Sequence, residues 1–144
     1  MKKLKKLKKK KLEKTVTIRR RLMRLWLERV RMYWGNECAI CGVKSGAPLE
    51  DGKKVILDCH HIEARSNNVL RYELANGILL CKRHHKFGRE SFHRSPVWSV
   101  GWLKNHHPDI LHTVYIFRHL APYDLNDRET LKHLENELKL RRTK

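Results

Sequence analysis

The chain has 144 residues, with 33 Lys and Arg against 15 Asp and Glu and a formal net charge of +18 at pH 7. That length fits one domain with appendages, and a charge of that size points to a polyanionic partner. The longest run free of charged residues is the nine residues 95–103, far short of the roughly 20 apolar residues that cross a bilayer, so no membrane span is expected.

The charge is uneven. Residues 1–34 hold 9 Lys and 6 Arg against Glu13 and Glu28, a net +13, which leaves +5 for the other 110 residues. Residues 1–34 are therefore read as a basic N-terminal arm and helix. Phosphate contacts made by such an arm release counterions and bind nucleic acid without reading its sequence. The Lys-rich start has no apolar stretch behind it, because Arg19, Arg20, Arg21 and Arg24 interrupt the next segment; a secretory signal is not expected, and a cytosolic protein is.

Residues 1–14 are low-complexity Lys and Leu with too little apolar surface to bury. From Val16 the spacing of Leu22, Leu25, Trp26, Arg29 and Val30 predicts an amphipathic helix that ends near Trp34-Gly35, with arginines on its polar side. A turn-rich stretch with Cys38-x-x-Cys41 follows, and residues 55–62 read as a strand from their β-branched and apolar content, with Cys59 a small hydrophobe on it. Residues 64–74 form a polar connection that turns at Ser66-Asn67-Asn68. Asn76-Gly77 then opens the short run Ile78-Leu79-Leu80, a second strand or a tight turn into a helix. Residues 82–93 contain no Pro and are predicted helical. Beyond Pro96, Trp98 and Trp102 stand at helical spacing and are read as core, Pro108-Asp109 starts a further helix over 110–120, and His106 and His107 are ordinary turn residues. Asn126 to Glu129 has capping-box spacing, and Leu131, Leu134 and Leu138 make one apolar stripe expected to pack on the domain or on a partner chain.

The pairs Cys38-x-x-Cys41 and Cys81-x-x-His84 have the spacing of two zinc knuckles, which together close a tetrahedral Cys₃His site. In a domain with so small a core, such an ion contributes folding free energy directly. His84 and His85 diverge by about 100° on a helix, so one serves the zinc and the other points elsewhere. His60, His61, Asn76 and that second His form a polar surplus that can surround another metal with open positions. Consecutive strand residues face opposite ways, so His60 and His61 share one site only if the strand ends or twists between them. His93 lies about 12 Å along the axis from His85 if the helix continues, which removes it from that site unless the helix breaks near Gly88.

The segments Asp58-Cys59-His60-His61-Ile62, Asn76-Gly77-Ile78-Leu79-Leu80-Cys81 and Cys81-x-x-His84-His85, with 15 residues from His61 to Asn76 and 9 from Asn76 to His85, resemble the signature of the HNH endonucleases. The stretch from Trp102 to Asp109 is similar to the segment after the motif in small phage-type members. The resemblance implies an α+β fold, with a small ββα-metal core and structural zinc over residues 35–95, flanked by the N-terminal helix and a C-terminal helical segment over 96–144. It implies a nuclease that cuts DNA with His61 as general base, Asn76 fixing the loop that orients it, and His60 and His85 holding one catalytic divalent ion (Mg²⁺, Mn²⁺ or Ni²⁺). The ends it leaves are 5′-phosphate and 3′-hydroxyl. Many relatives have Asp at the position of His60, so a softer ion than Mg²⁺ is expected here. Arg65, Arg71, Lys82 and Arg83 are the expected phosphate contacts. A zinc-stabilised DNA-binding module without catalysis is the competing reading, and a homodimer or a phage packaging partner both stay open.

Overall fold

A computed structural model describes residues 13–141 and has an α+β architecture. The Lys-rich start, for which the sequence leaves a solvated tail and an ordered helix both open, lies outside the described residues. In chain order the elements are α1 (Thr15–Tyr33), β1 (Leu57–His61), a 3-10 turn (Leu74–Asn76), β2 (Gly77–Cys81), a π-helical turn (Arg83–Phe87), α2 (Pro96–His106), α3 (Pro108–Phe117) and α4 (Arg128–Leu140). The strands pair antiparallel, Leu57 opposite Cys81 and His61 opposite Gly77. No helix among the described residues is long and apolar enough to cross a membrane.

Among the described residues, two apolar clusters form the core. In the first, the buried stripe of α1 (Ile18, Leu22, Trp26 and Val30) packs against Leu131 and Leu138 of α4. Leu25 and Arg29, expected on that stripe, lie at its margin; Arg29 donates to the Lys139 carbonyl at 3.0 Å. In the second, Leu57, Ile78, Leu79 and Leu80 of the sheet pack with Cys38, Phe92 and Leu103, and Trp98 and Trp102 flank them. The leucine stripe of α4 thus covers α1, and its helix is capped by Asp127 rather than Asn126. The Asp127 carboxylate accepts from the Thr130 amide at 2.8 Å and from its hydroxyl at 2.7 Å.

Two indole N–H groups tie α1 and its C-cap to the start of β2, Trp26 donating to the Glu73 carbonyl before the 3-10 turn and Trp34 to that of Gly77, both at 3.0 Å. The strand can come this close because residue 77 has no side chain: a Cβ there would overlap Val30 Cγ2 and lie 2.9 Å from Trp26 Cζ2.

The helix predicted over 82–93 is one wide turn. It closes with the Gly88 amide on the Arg83 carbonyl at 2.7 Å, after which Gly88 is extended (φ −73°, ψ 159°). A Cβ on Gly88 would lie 2.8 Å from that carbonyl. The chain then folds back, with the Phe92 amide on the His84 carbonyl (2.9 Å) and the His93 amide on that of His85 (3.2 Å). So the third element after the two strands is a turn rather than a helix.

Between α1 and α4, the Arg21 guanidinium grips both oxygens of the buried Glu135 carboxylate at 2.7 Å, and Lys139 adds a contact at 2.8 Å. The Arg21 hydrogen bond holds the Glu135 carboxyl down at about 2, against an ordinary 4.5. A depressed carboxylate stabilises fully above its unfolded pKa and loses that contribution as pH falls through the folded one. Glu135→Ala is expected to cost about 2 kcal/mol at neutral pH. The gap between wild type and variant in denaturant midpoint should narrow steadily below pH 4.5 and close near pH 2. A gap independent of pH would show that the ion pair is not its source.

Candidate metal centre

The first knuckle is a tight turn in which the Cys38 amide donates to Val43 (2.9 Å) and the Gly42 amide returns to Cys38 (2.8 Å), with Gly42 at φ 67°. The Ala39 amide ties it to the Leu79 carbonyl of β2 at 2.9 Å. The second knuckle starts at the end of β2 and runs into the π-helical turn. Together they bring Cys38, Cys41, Cys81 and His84 to one point, with ligand atoms all within 4.8 Å of one another. His84 Nδ1 lies 3.6 Å from Cys38 Sγ and 3.3 Å from Cys81 Sγ, and the sulfurs of Cys41 and Cys81 are 4.0 Å apart. A tetrahedral zinc with ordinary bond lengths sets such edges at about 3.6 Å for N–S and about 3.8 Å for S–S, so this donor set fits the ion.

The thiols are unequal. Burial raises Cys38, but the backbone amides of Cys41, Cys81 and Ile40 outweigh it and bring it below the usual thiol value. Burial and then the charges of Cys38 and Cys41 push Cys81 up to about 11. Three sulfurs this close ionise together only around a cation.

His85, one residue on, points the other way and meets His60 and His93, whose ligand nitrogens also lie within 4.8 Å of one another. The Nε2 atoms of His85 and His93 are 3.2 Å apart, and His60 stands edge-on to both rings with centroids at 5.1 and 4.8 Å. His93 joins this cluster because the helix ends at Phe87 and the chain doubles back. Asn76 and His61 do not belong to it. His93 is exposed while His85 is buried, so the set is open on one side.

Asp58 completes the arrangement from behind. Its Oδ2 meets His85 Nδ1 at 2.9 Å and Lys82 Nζ at 2.8 Å. Burial works to raise the Asp58 carboxyl, but these two hydrogen bonds outweigh it and keep it ionised. The carboxylate therefore fixes the His85 proton on Nδ1 and leaves the Nε2 lone pair facing the cluster, the usual outer partner of a metal-binding imidazole. Burial, then the neighbouring imidazoles, lowers His60 to about 4 and so keeps it in the neutral, ligating form. Neither Asp58 nor His93 was assigned a role from the motif. The signal for Asp58 was its place two residues before His60, and the signal for His93 was Gly88.

His61 leaves the strand on the opposite side. Its ring stacks on Trp26 with centroids 4.1 Å apart and planes 9° from parallel, and its Nε2 donates to the Arg71 carbonyl at 2.9 Å. Nδ1 is then the nitrogen with a lone pair. Burial lowers its pKa, partly offset by that carbonyl.

Asn76, fully buried, accepts from the Glu63 amide at 2.6 Å and donates to the carbonyls of Glu63 (3.2 Å) and Leu70 (3.0 Å). It locks the loop after β1; the hydrogen bond that orients His61 comes from Arg71. Of the expected phosphate contacts, Arg65 and Arg71 line one groove, while Lys82 is held by Asp58 and Arg83 is exposed beside His84.

No family model, curated protein or solved structure matches this chain.

Cys38→Ser and Cys81→Ser are each expected to lose bound zinc by elemental analysis and to melt well below wild type. Removal of metal by chelation should produce the same fall, reversed by zinc. Full zinc content and unchanged melting in both variants would exclude the four-residue site.

Proposed function

We propose that the chain is a metal-dependent endonuclease of the HNH type that hydrolyses phosphodiester bonds in DNA. The observation that carries this reading is the open His60–His85–His93 set together with, one residue along the strand and on its other side, an oriented His61, and a separate Cys₃His set to account for the structural metal. A purely structural zinc module needs only the second of these.

In this reading Cys38, Cys41, Cys81 and His84 hold zinc and brace the turn that carries His85. His60, His85 and His93 hold the catalytic divalent ion. Bound there, such an ion would supply positive charge to offset that of the scissile phosphate and the departing 3′ oxygen. His61 takes a proton from the attacking water at Nδ1, while its Nε2 proton stays on the Arg71 carbonyl. The water oxygen forms the new bond to phosphorus as the bond to the 3′ oxygen breaks, and the departing 3′ alkoxide takes a proton from solvent, leaving a 5′-phosphate and a 3′-hydroxyl. Trp26 keeps the ring from rotating, and Asn76 keeps the loop bearing Arg71 in register. The strand geometry suits this division: one of two consecutive histidines serves the ion and the other serves the water. The two strands and the turn after them take the place of a ββα-metal core in which the helix is cut to one turn. A ligand set of three imidazoles and no carboxylate favours Mn²⁺, Ni²⁺ or Zn²⁺ over Mg²⁺.

The test is nicking of supercoiled plasmid by zinc-loaded protein, without added ion and with Mg²⁺, Mn²⁺ or Ni²⁺. Ion-dependent nicking is expected, faster with Mn²⁺ or Ni²⁺ than with Mg²⁺. His61→Ala should lower the rate by about 10²- to 10⁴-fold at saturating ion. His93→Ala should raise the ion concentration needed by at least about tenfold. Absence of nicking with every ion, together with salt-sensitive plasmid binding, would replace this reading with a zinc-stabilised DNA-binding module.

A further inference from the structure

The carbonyl of Arg71 holds His61, and its side chain runs in the other direction, into a groove of about 590 Å³ between α1 and the loop that follows β1. Arg20 and Arg24 of α1, Arg65 and Arg71 of the loop, and the Thr17 hydroxyl line this groove, and no acidic residue does. Arg20 and Arg24 are one helical turn apart and therefore side by side on the helix surface, both exposed. Among the described residues, Arg20, Arg24 and Arg65 take part in no ion pair, whereas Arg19 and Arg21 on the same helix are engaged by α4 and the segment before it. The Nε of Arg71 is buried and meets no acceptor among the described residues. Folding thus divides the arginines of α1 into two groups, one consumed in packing and one kept together beside the residue that orients His61.

We propose that this groove is a phosphate track for one strand of duplex DNA, with α1 as its outer wall and, at its inner end, Arg71, whose carbonyl holds His61. The inference rests on the nuclease reading for what happens at that end, but binding in the groove does not depend on catalysis. It gives α1 a defined role: the helix sets the line along which the backbone approaches, rather than tethering DNA through diffuse charge. Guanidinium groups suit this task because their planar forks bind phosphate oxygens in pairs. DNA is favoured over a membrane surface because cations wall the groove on both sides, and its apolar lining residues, Met23 and Tyr72, are half-buried and buried, which leaves no exposed apolar side chain in the groove to insert into lipid.

The experiment uses the full chain with His61→Ala as background, so that DNA remains intact, and measures duplex binding by fluorescence anisotropy across a salt series without added divalent ion. Arg20→Gln with Arg24→Gln is expected to weaken binding roughly tenfold at moderate salt and to flatten the log-affinity against log-salt slope by about 2. Lys54→Gln with Lys104→Gln removes the same charge from exposed sites outside the groove and should leave the slope nearly unchanged. Equal losses in the two double variants would overturn the track in favour of a uniform cationic surface. Retained DNA binding in the groove variant, with lost binding to phosphatidylserine vesicles, would overturn it in favour of a membrane contact. Because cleavage plays no part in this readout, failure of plasmid nicking in the wild type would remove the nuclease reading and leave the groove result standing on its own.

Discussion

The approach of Trp26 to Gly77 is the contact on which the rest of the molecule depends. A single indole occupies three places at once. Its face lies on the His61 ring, its N–H is on the Glu73 carbonyl, and its edge is against a strand residue without a side chain. That contact joins the helical layer of α1 and α4 to the two-stranded sheet, whose five-residue strands would be marginal on their own. It also sets the orientation of one histidine from an element that lies far from it in sequence. α4 packs through Leu131 and Leu138 on the same buried stripe of α1 that carries Trp26, and the Arg21–Glu135 pair ties the two helices, so the wall behind His61 is itself braced.

The two donor sets show how one short turn serves two purposes. His84 and His85 are adjacent, and the wide turn that contains them sends one imidazole to three cysteines and the other to two histidines. The sulfur-rich set has four ligands and matches a closed tetrahedral ion. The imidazole set has three, one of them exposed, and is backed by a carboxylate that fixes a tautomer. Asp58 is bonded to both His85 and Lys82, which links this cluster to the start of the second knuckle's turn.

Positive charge is distributed by the same logic. Some arginines of α1 act as structural clamps on Leu125, Asn126, Glu13 and Glu135, while Arg20 and Arg24 stay exposed along the groove that leads to Arg71. A net charge of +18 describes both populations equally, although only the second is available to a partner.

What the sequence determined alone was local: the amphipathic period of α1, the knuckle spacings, the strand ending in two histidines, and the surplus of His over one zinc set. These are legible because they depend on neighbours within a turn or a pleat. The departures from expectation all turned on contacts distant in the chain or on backbone freedom at one residue. Gly88 ended a helix that composition favoured, and so placed His93 where straight geometry excluded it. Asp127 displaced Asn126 as the cap. Trp26, read as one more apolar residue on a helix, became the wall behind His61. The α1 arginines could be sorted only after α4 had taken its share. Spacing along a chain reports which side chains share a face, but which faces meet is decided by burial summed over the whole fold, and the site was assembled at that level.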